Sequence, residues 1–149
     1  MKALDAAEES CTEYPQTIAV IRAVILTGAR ISELLSLQWR DIRRDELELH
    51  LRDTKTGFSR RPISAAALTL LDGIERMPGV EFVFRAPNAP IQPLPYNTVA
   101  KAFRRVAACA GIARCSLHTI RHWFATMTAN SVSNARVGMA LTGHKSHAT

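Results

Sequence analysis

Beyond Glu81 the chain carries no carboxylate. All 13 acidic residues lie in residues 1–81, beside 11 of the 19 Lys/Arg; residues 82–149 hold the other eight basic residues alone. That imbalance favours a polyanionic partner, nucleic acid first, with a solvated basic face as the competing reading. Cysteine is scarce and odd in number: Cys11, Cys109 and Cys115 make no disulfide framework, and a reducing interior fits them best. No apolar run reaches membrane-spanning length, because the longest, near Ile18 to Leu26, is broken by Arg22. Lys2 is followed by acidic residues rather than an apolar segment, so no signal peptide is read, and a cytoplasmic protein without a membrane partner is expected. Internal repeats and low-complexity tracts are absent, and 149 residues suit one domain with its own core.

What is present reads mostly as helix. Pro15 suits a first helical position, Thr17 to Leu26 reads as a buried helix with strand as the competitor, and Gly28 punctuates it. Ile31 to Leu37 resumes a helix ending near Trp39. Leu47, Leu49 and Leu51 alternate with Glu48 and His50, a strand with one buried face; Asp53 to Gly57 is turn chemistry, and Phe58 to Ile63 returns as a second strand. Ser64 caps a helix to about Arg76, stopped by Pro78-Gly79. Glu81 to Phe84 is a short apolar strand or extended piece, and Ala86 to Pro95, with four prolines, is a loop. Asn97 caps a helix with Val99, Phe103, Val106 and Ala110 on one stripe and Lys101, Arg104 and Arg105 largely off it. Ser116 caps the next, with Leu117, Ile120, Phe124 and Met127 buried and His118, Arg121 and His122 opposite. Ser133 or Asn134 opens a last short helix to Leu141, closed by Gly143.

Three separated blocks carry the chemistry: Thr27-Gly28-Ala29-Arg30-Ile31-Ser32-Glu33-Leu34-Leu35, His118-Thr119-Ile120-Arg121-His122 and Gly143-His144-Lys145-Ser146. Two arginines offer planar forks matched to phosphate oxygens, and histidines donate or accept protons near neutrality. No carboxylate cluster accompanies them, so no magnesium site is implied. Zinc on Cys109, Cys115, His118 and His122 fails the paired-ligand spacing. A serine-hydrolase elbow is missing, and Thr54-Lys55-Thr56-Gly57 lacks the glycines of a phosphate loop. Alone, Arg30 would be a salt-bridge residue paired with Glu33 and His144 a cap or surface residue; the blocks matter jointly.

Together they resemble the catalytic domain of the tyrosine recombinase (phage integrase) family, over about Tyr14 to Thr149. Residues 27–42 resemble the first arginine block, Thr54-Lys55-Thr56-Gly57 the β-hairpin lysine, Leu117 to Thr126 the His-x-x-Arg helix, and Leu141 to Ser146 the second histidine block, with Thr142 where leucine is common. The resemblance implies an α+β, mainly α fold: a helical catalytic domain with a small antiparallel β-hairpin or sheet. It implies site-specific DNA recombination in a mobile element, metal-independent and without cofactor, on double-stranded DNA, with a homo-oligomer on the DNA. In that scheme Arg30 and Arg121 clamp the scissile phosphate, His118 and His144 assist proton transfer, Lys55 protonates the leaving 5′-oxygen and Glu33 orients the first block. Lys101, Arg104, Arg105, Arg114 and Lys145 are expected to meet DNA.

One departure bears on activity. By the resemblance, the family nucleophile lies roughly nine residues past the second histidine, near the start of a following helix, whereas Tyr14 and Tyr96 are the only tyrosines here and neither has that context. The expectation is a catalytic domain cut before its nucleophile and without the amino-terminal clamping domain, binding DNA without cleaving it. A non-catalytic DNA-binding or regulatory remnant and a type IB topoisomerase-like domain are the alternatives.

Overall fold

In the computed structural model, residues 1–9, 13–53, 57–112 and 115–131 are described. Helix α1 (Lys2–Glu9) precedes α2 (Pro15–Thr27), a largely apolar helix in which Ile18, Val20, Ile21, Ala23 and Val24 are buried and Arg22 is half-buried, paired with Asp5 and Glu8 of α1. A helix with so wide an apolar face needs several neighbours to cover it. Here α1, α3 (Ile31–Leu35), α4 (Ala65–Asp72), α5 (Tyr96–Cys109) and α6 (Leu117–Ser131) all pack on it. Pro15 occupies the first turn, and Gly28 closes the helix in the left-handed region at φ 60°.

The sheet lies beside this helical core. Strands β1 (Ile42–Arg43), β2 (Glu48–Asp53) and β3 (Gly57–Pro62) are antiparallel in that order, with Leu49 opposite Arg61 and Leu51 opposite Ser59. Leu49 and Leu51 fill the buried face as their alternation predicts. Leu47 is the exception: it is exposed with φ 51°, because it sits in the turn before β2.

Several expectations require correction. The helix from Ile31 stops at Leu35 and gives way to one 3₁₀ turn at Trp39–Asp41, since Gln38 pairs with Phe82 in an isolated bridge. The helix capped by Ser64, whose Oγ accepts from the Ala67 amide at 3.2 Å, ends at Asp72 rather than near Arg76. The proline-rich stretch is no loop: β4 (Arg85–Ala86) and β5 (Ala89–Pro93) form a two-stranded ribbon, and proline is tolerated there because each strand has a free edge. Helix α5 starts one residue before Asn97, and Ala110 lies past its end, exposed. The last short helix, from Ser133 or Asn134, lies outside the described residues.

On α6 the buried side also differs from the expected stripe. Met127 is exposed, and Arg121 is buried beside Leu117 rather than facing solvent with His118 and His122. Arg121 follows Leu117 by four residues and precedes Phe124 by three, so helical geometry puts it on their side. No helix among the described residues is long and apolar enough to cross a membrane.

Gly28 permits the closest approach of α2 to α6. A Cβ there would stand 2.2 Å from the Phe124 ring, and the positive φ already disfavours any side chain. Gly28→Ala should therefore lower unfolding stability by about 2 kcal/mol or more, from left-handed strain plus overpacking. Urea denaturation checks this; a loss under about 0.5 kcal/mol would contradict the packing described.

Candidate active site

The site is assembled around a loop that cannot wander. Thr27 Oγ1 donates to the Ala23 carbonyl (2.6 Å) and accepts from the Ala29 amide (3.2 Å), holding the chain as it leaves α2. Arg30 then caps α3. Its amide donates to Glu33 Oε2 at 2.7 Å, and its Nη1 donates to Glu33 Oε1 at 2.8 Å. One carboxylate thus fixes both the backbone and the guanidinium of Arg30, so the expected Arg30–Glu33 pair is present. Glu33 is buried while the Arg30 side chain remains about half exposed, at 45%.

Arg121 arrives from 93 residues away in sequence. Its Nη1 donates to the Gly28 carbonyl at 2.6 Å, two residues before Arg30. Burial, then the positive charge of Arg30, lower its pKa from the ordinary arginine value, and Glu33 opposes the shift. The two arginines therefore share one electrostatic neighbourhood.

A third arginine, which sequence reasoning did not single out, completes the cluster. Arg61 on β3 is fully buried, and its Nη2 lies 3.3 Å from Glu33 Oε2 as an ion pair outside hydrogen-bond geometry. Burial lowers its pKa to about 10; Glu33 raises it, whereas Arg121 and Arg30 lower it further. Glu33 thus contacts the guanidiniums of Arg30 and Arg61, and the charge of Arg121 is felt at Arg61 as that of Arg30 is felt at Arg121. The only signal in the sequence is weak: an arginine two residues from Ser59 on a strand whose inward positions oppose Leu49 and Leu51.

His118 and His122 lie exposed on α6. Their Nε2 atoms are 2.8 Å apart, with the rings edge to face at 4.4 Å between centroids. One nitrogen must donate and the other accept, so the two rings share a single proton at that contact. Ser116 Oγ accepts from the Thr119 amide at 3.1 Å and caps the helix start as expected.

The expected DNA contacts divide. Lys101 and Arg104 are exposed on α5, whereas Arg105 forks onto Glu13 through Nε (2.5 Å) and Nη2 (2.8 Å). Lys55, Arg114, His144 and Lys145 lie outside the described residues. Tyr14 is half-buried at the start of α2 and Tyr96 is exposed at the start of α5.

Other features fit a phosphate poorly. A groove of about 450 Å³ along Ile21, Ile25, Phe103, Ile120 and Trp123 has no charged side chain in its walls. Glu46, Glu48 and His50 bring one ligand atom each within 4.8 Å of one another, yet those atoms already face each other as His50 pairs at 3.9 and 3.6 Å.

Comparison with known proteins places the chain by family and fold. The model of the phage integrase family matches residues 1–149. No curated protein matches the chain. Among solved structures, a lambda integrase dimer bound to a COC′ core site is 25% identical with a TM-score of 0.75, covering 97% of this chain and 55% of that one. The lambda integrase catalytic core is 24% identical, TM-score 0.74, covering 97% and 90%. XerA recombinase is 20% identical, TM-score 0.76, covering 97% and 53%. The chain thus spans about half the length of the first and last of these.

Glu33 is the counter-ion on which the cluster rests. Glu33→Gln leaves Arg61 buried without a charge partner, so unfolding free energy should fall by about 3–5 kcal/mol. Adding Arg61→Met should recover much of that loss, because burying neither charge is close to neutral. Chemical denaturation of the single and double variants checks this; equal losses in both would contradict it.

Proposed function

The chain belongs to the phage integrase family, and from that premise we propose that it is the catalytic domain of a tyrosine recombinase that breaks and rejoins duplex DNA in site-specific recombination. The observation that supports this best is the tie of Arg121 to the Gly28 carbonyl, which sets it against the Arg30–Glu33 pair. Two forked cations in one place suit the non-bridging oxygens of a phosphodiester. Their charge is worth most in the transition state, when negative charge gathers on those oxygens.

In this reading a tyrosine oxygen attacks phosphorus, the P–O5′ bond breaks, and a 3′-phosphotyrosyl link replaces it. The tyrosine's proton passes to a base and a proton reaches the departing 5′-oxygen. His118 and His144 serve as the donors and acceptors beside the phosphate, Lys55 protonates the 5′-oxygen, and Glu33 orients Arg30. A 5′-hydroxyl of a second strand reverses the step, so the bond energy is conserved and neither metal nor nucleotide enters. Lys101 and Arg104, with Arg114 and Lys145, hold neighbouring phosphates, and several copies assemble on the DNA. Arg105 joins them only by leaving Glu13.

Duplex DNA affinity should fall steeply as salt rises, because each phosphate contact releases condensed counterions. Arg121→Ala should lower that affinity only modestly, as one contact among several. Titrations at two salt concentrations check both; salt-independent binding would overturn the proposed DNA interface.

Neither Tyr14 nor Tyr96 is the nucleophile in this proposal: one opens the central helix and is half-buried, the other follows the ribbon. The 149-residue chain alone should form no covalent adduct with a nicked duplex carrying the recombination site. Denaturing electrophoresis checks it. A shifted protein–DNA band abolished by Tyr14→Phe or Tyr96→Phe would show that one of them attacks.

A further inference from the structure

Arg61 is the least exposed charged residue among those described, and its Nε, Nη1 and Nη2 make no hydrogen bond there. A guanidinium used only to hold two elements together normally satisfies its donors, since an unsatisfied buried charge is expensive. This one spends its charge on a carboxylate already engaged twice by Arg30: Glu33 Oε2 takes the Arg30 amide, Oε1 takes Arg30 Nη1, and Arg61 Nη2 stands 3.3 Å from Oε2. A single negative charge cannot neutralise both guanidiniums, and Arg121 adds a third positive charge nearby.

We propose that Arg61 is a positioning residue that draws on the charge of Glu33, so that Glu33 holds Arg30 in place without cancelling its attraction for a phosphate. The proposal rests on the reading of Arg30 and Arg121 as the phosphate clamp. Without Arg61, Glu33 becomes a complete counter-ion for Arg30, and an incoming phosphate must compete with it. With Arg61 present, the excess positive charge is directed toward Arg30 and Arg121 from inside the protein, where water does not screen it.

The location adds a second consequence. Arg61 sits on β3, opposite Leu49 of β2, and β3 begins at Gly57, two residues after Lys55. The strand that follows Lys55 in sequence is therefore tied by charge to the residue that caps α3. The hairpin and the Arg30 block cannot move apart without separating Arg61 from Glu33.

The test uses inorganic phosphate as the probe and reads two quantities, the melting temperature and the phosphate Kd from calorimetric titration. Arg61→Met should weaken phosphate binding roughly tenfold, the scale of losing one nearby poorly screened charge. Arg61→Lys, which keeps the charge, should retain most of the affinity. A merely structural role lowers the melting temperature of Arg61→Met and leaves its Kd unchanged, which would overturn the proposal. If Arg61→Met does not fold, Arg61→Gln, neutral but still able to donate to Glu33, takes its place with the same expected loss. Arg30→Ala separates the two readings. Phosphate binding abolished by Arg30→Ala but untouched at Arg61 overturns the role of Arg61 alone. No phosphate binding by the native chain overturns the clamp and the proposal together.

Discussion

One buried carboxylate holds the site together. Glu33 caps its own helix, grips the Arg30 guanidinium and faces the sealed charge of Arg61. Each function constrains the others. The cap requires Glu33 at the third position of α3, which fixes its spacing from Arg30. Its burial makes the pair strong, because little solvent intervenes, and makes loss of either partner costly. Arg30, Arg61 and Arg121 raise the positive potential around that carboxylate, the condition for an anion to be welcome there.

The helical framework exists to bring distant blocks to that carboxylate. Helix α2 has a wide apolar face and draws five other helices onto it, so its end at Gly28 becomes a fixed point. Gly28 then receives Phe124 against its missing side chain and Arg121 on its carbonyl. Two blocks more than 80 residues apart are thereby joined by one residue whose lack of a Cβ is needed twice, for the left-handed turn and for the approach of α6. The basic surface follows a different logic. With no acid after Glu81, the arginines and lysines of α5 find few partners on their own half, and Arg105 must reach back to Glu13 in the acidic half to find one.

Where the sequence misled, competing forces account for it. Four prolines between residues 86 and 95 argue for a loop, but a two-stranded ribbon has only one paired edge per strand and leaves proline somewhere to sit. Leu47 belongs by alternation to the strand, yet the turn into β2 claims it. On the returning strand Phe58 is exposed, while Arg61 is buried. Hydrophobicity alone would choose the opposite face. Pairing with β2 and the waiting charge of Glu33 decide otherwise, and neither is visible from within the strand.

The residue order therefore determined the local facts. The cap at Arg30–Glu33, the stop at Gly28, the cap at Ser116 and the buried strand of Leu49 and Leu51 all depend on neighbours within a few positions, and local geometry has few solutions. The motifs also carried the family, because their order and spacing survive without coordinates. Only the tertiary structure decided which cations meet. Arg121 turned inward to Gly28, Arg105 was taken by Glu13, and Arg61 entered the cluster unannounced. Charge pairing and hydrogen bonding act across space between residues that the chain holds 28 to 93 positions apart, and a linear pattern holds no record of which partner lies within reach.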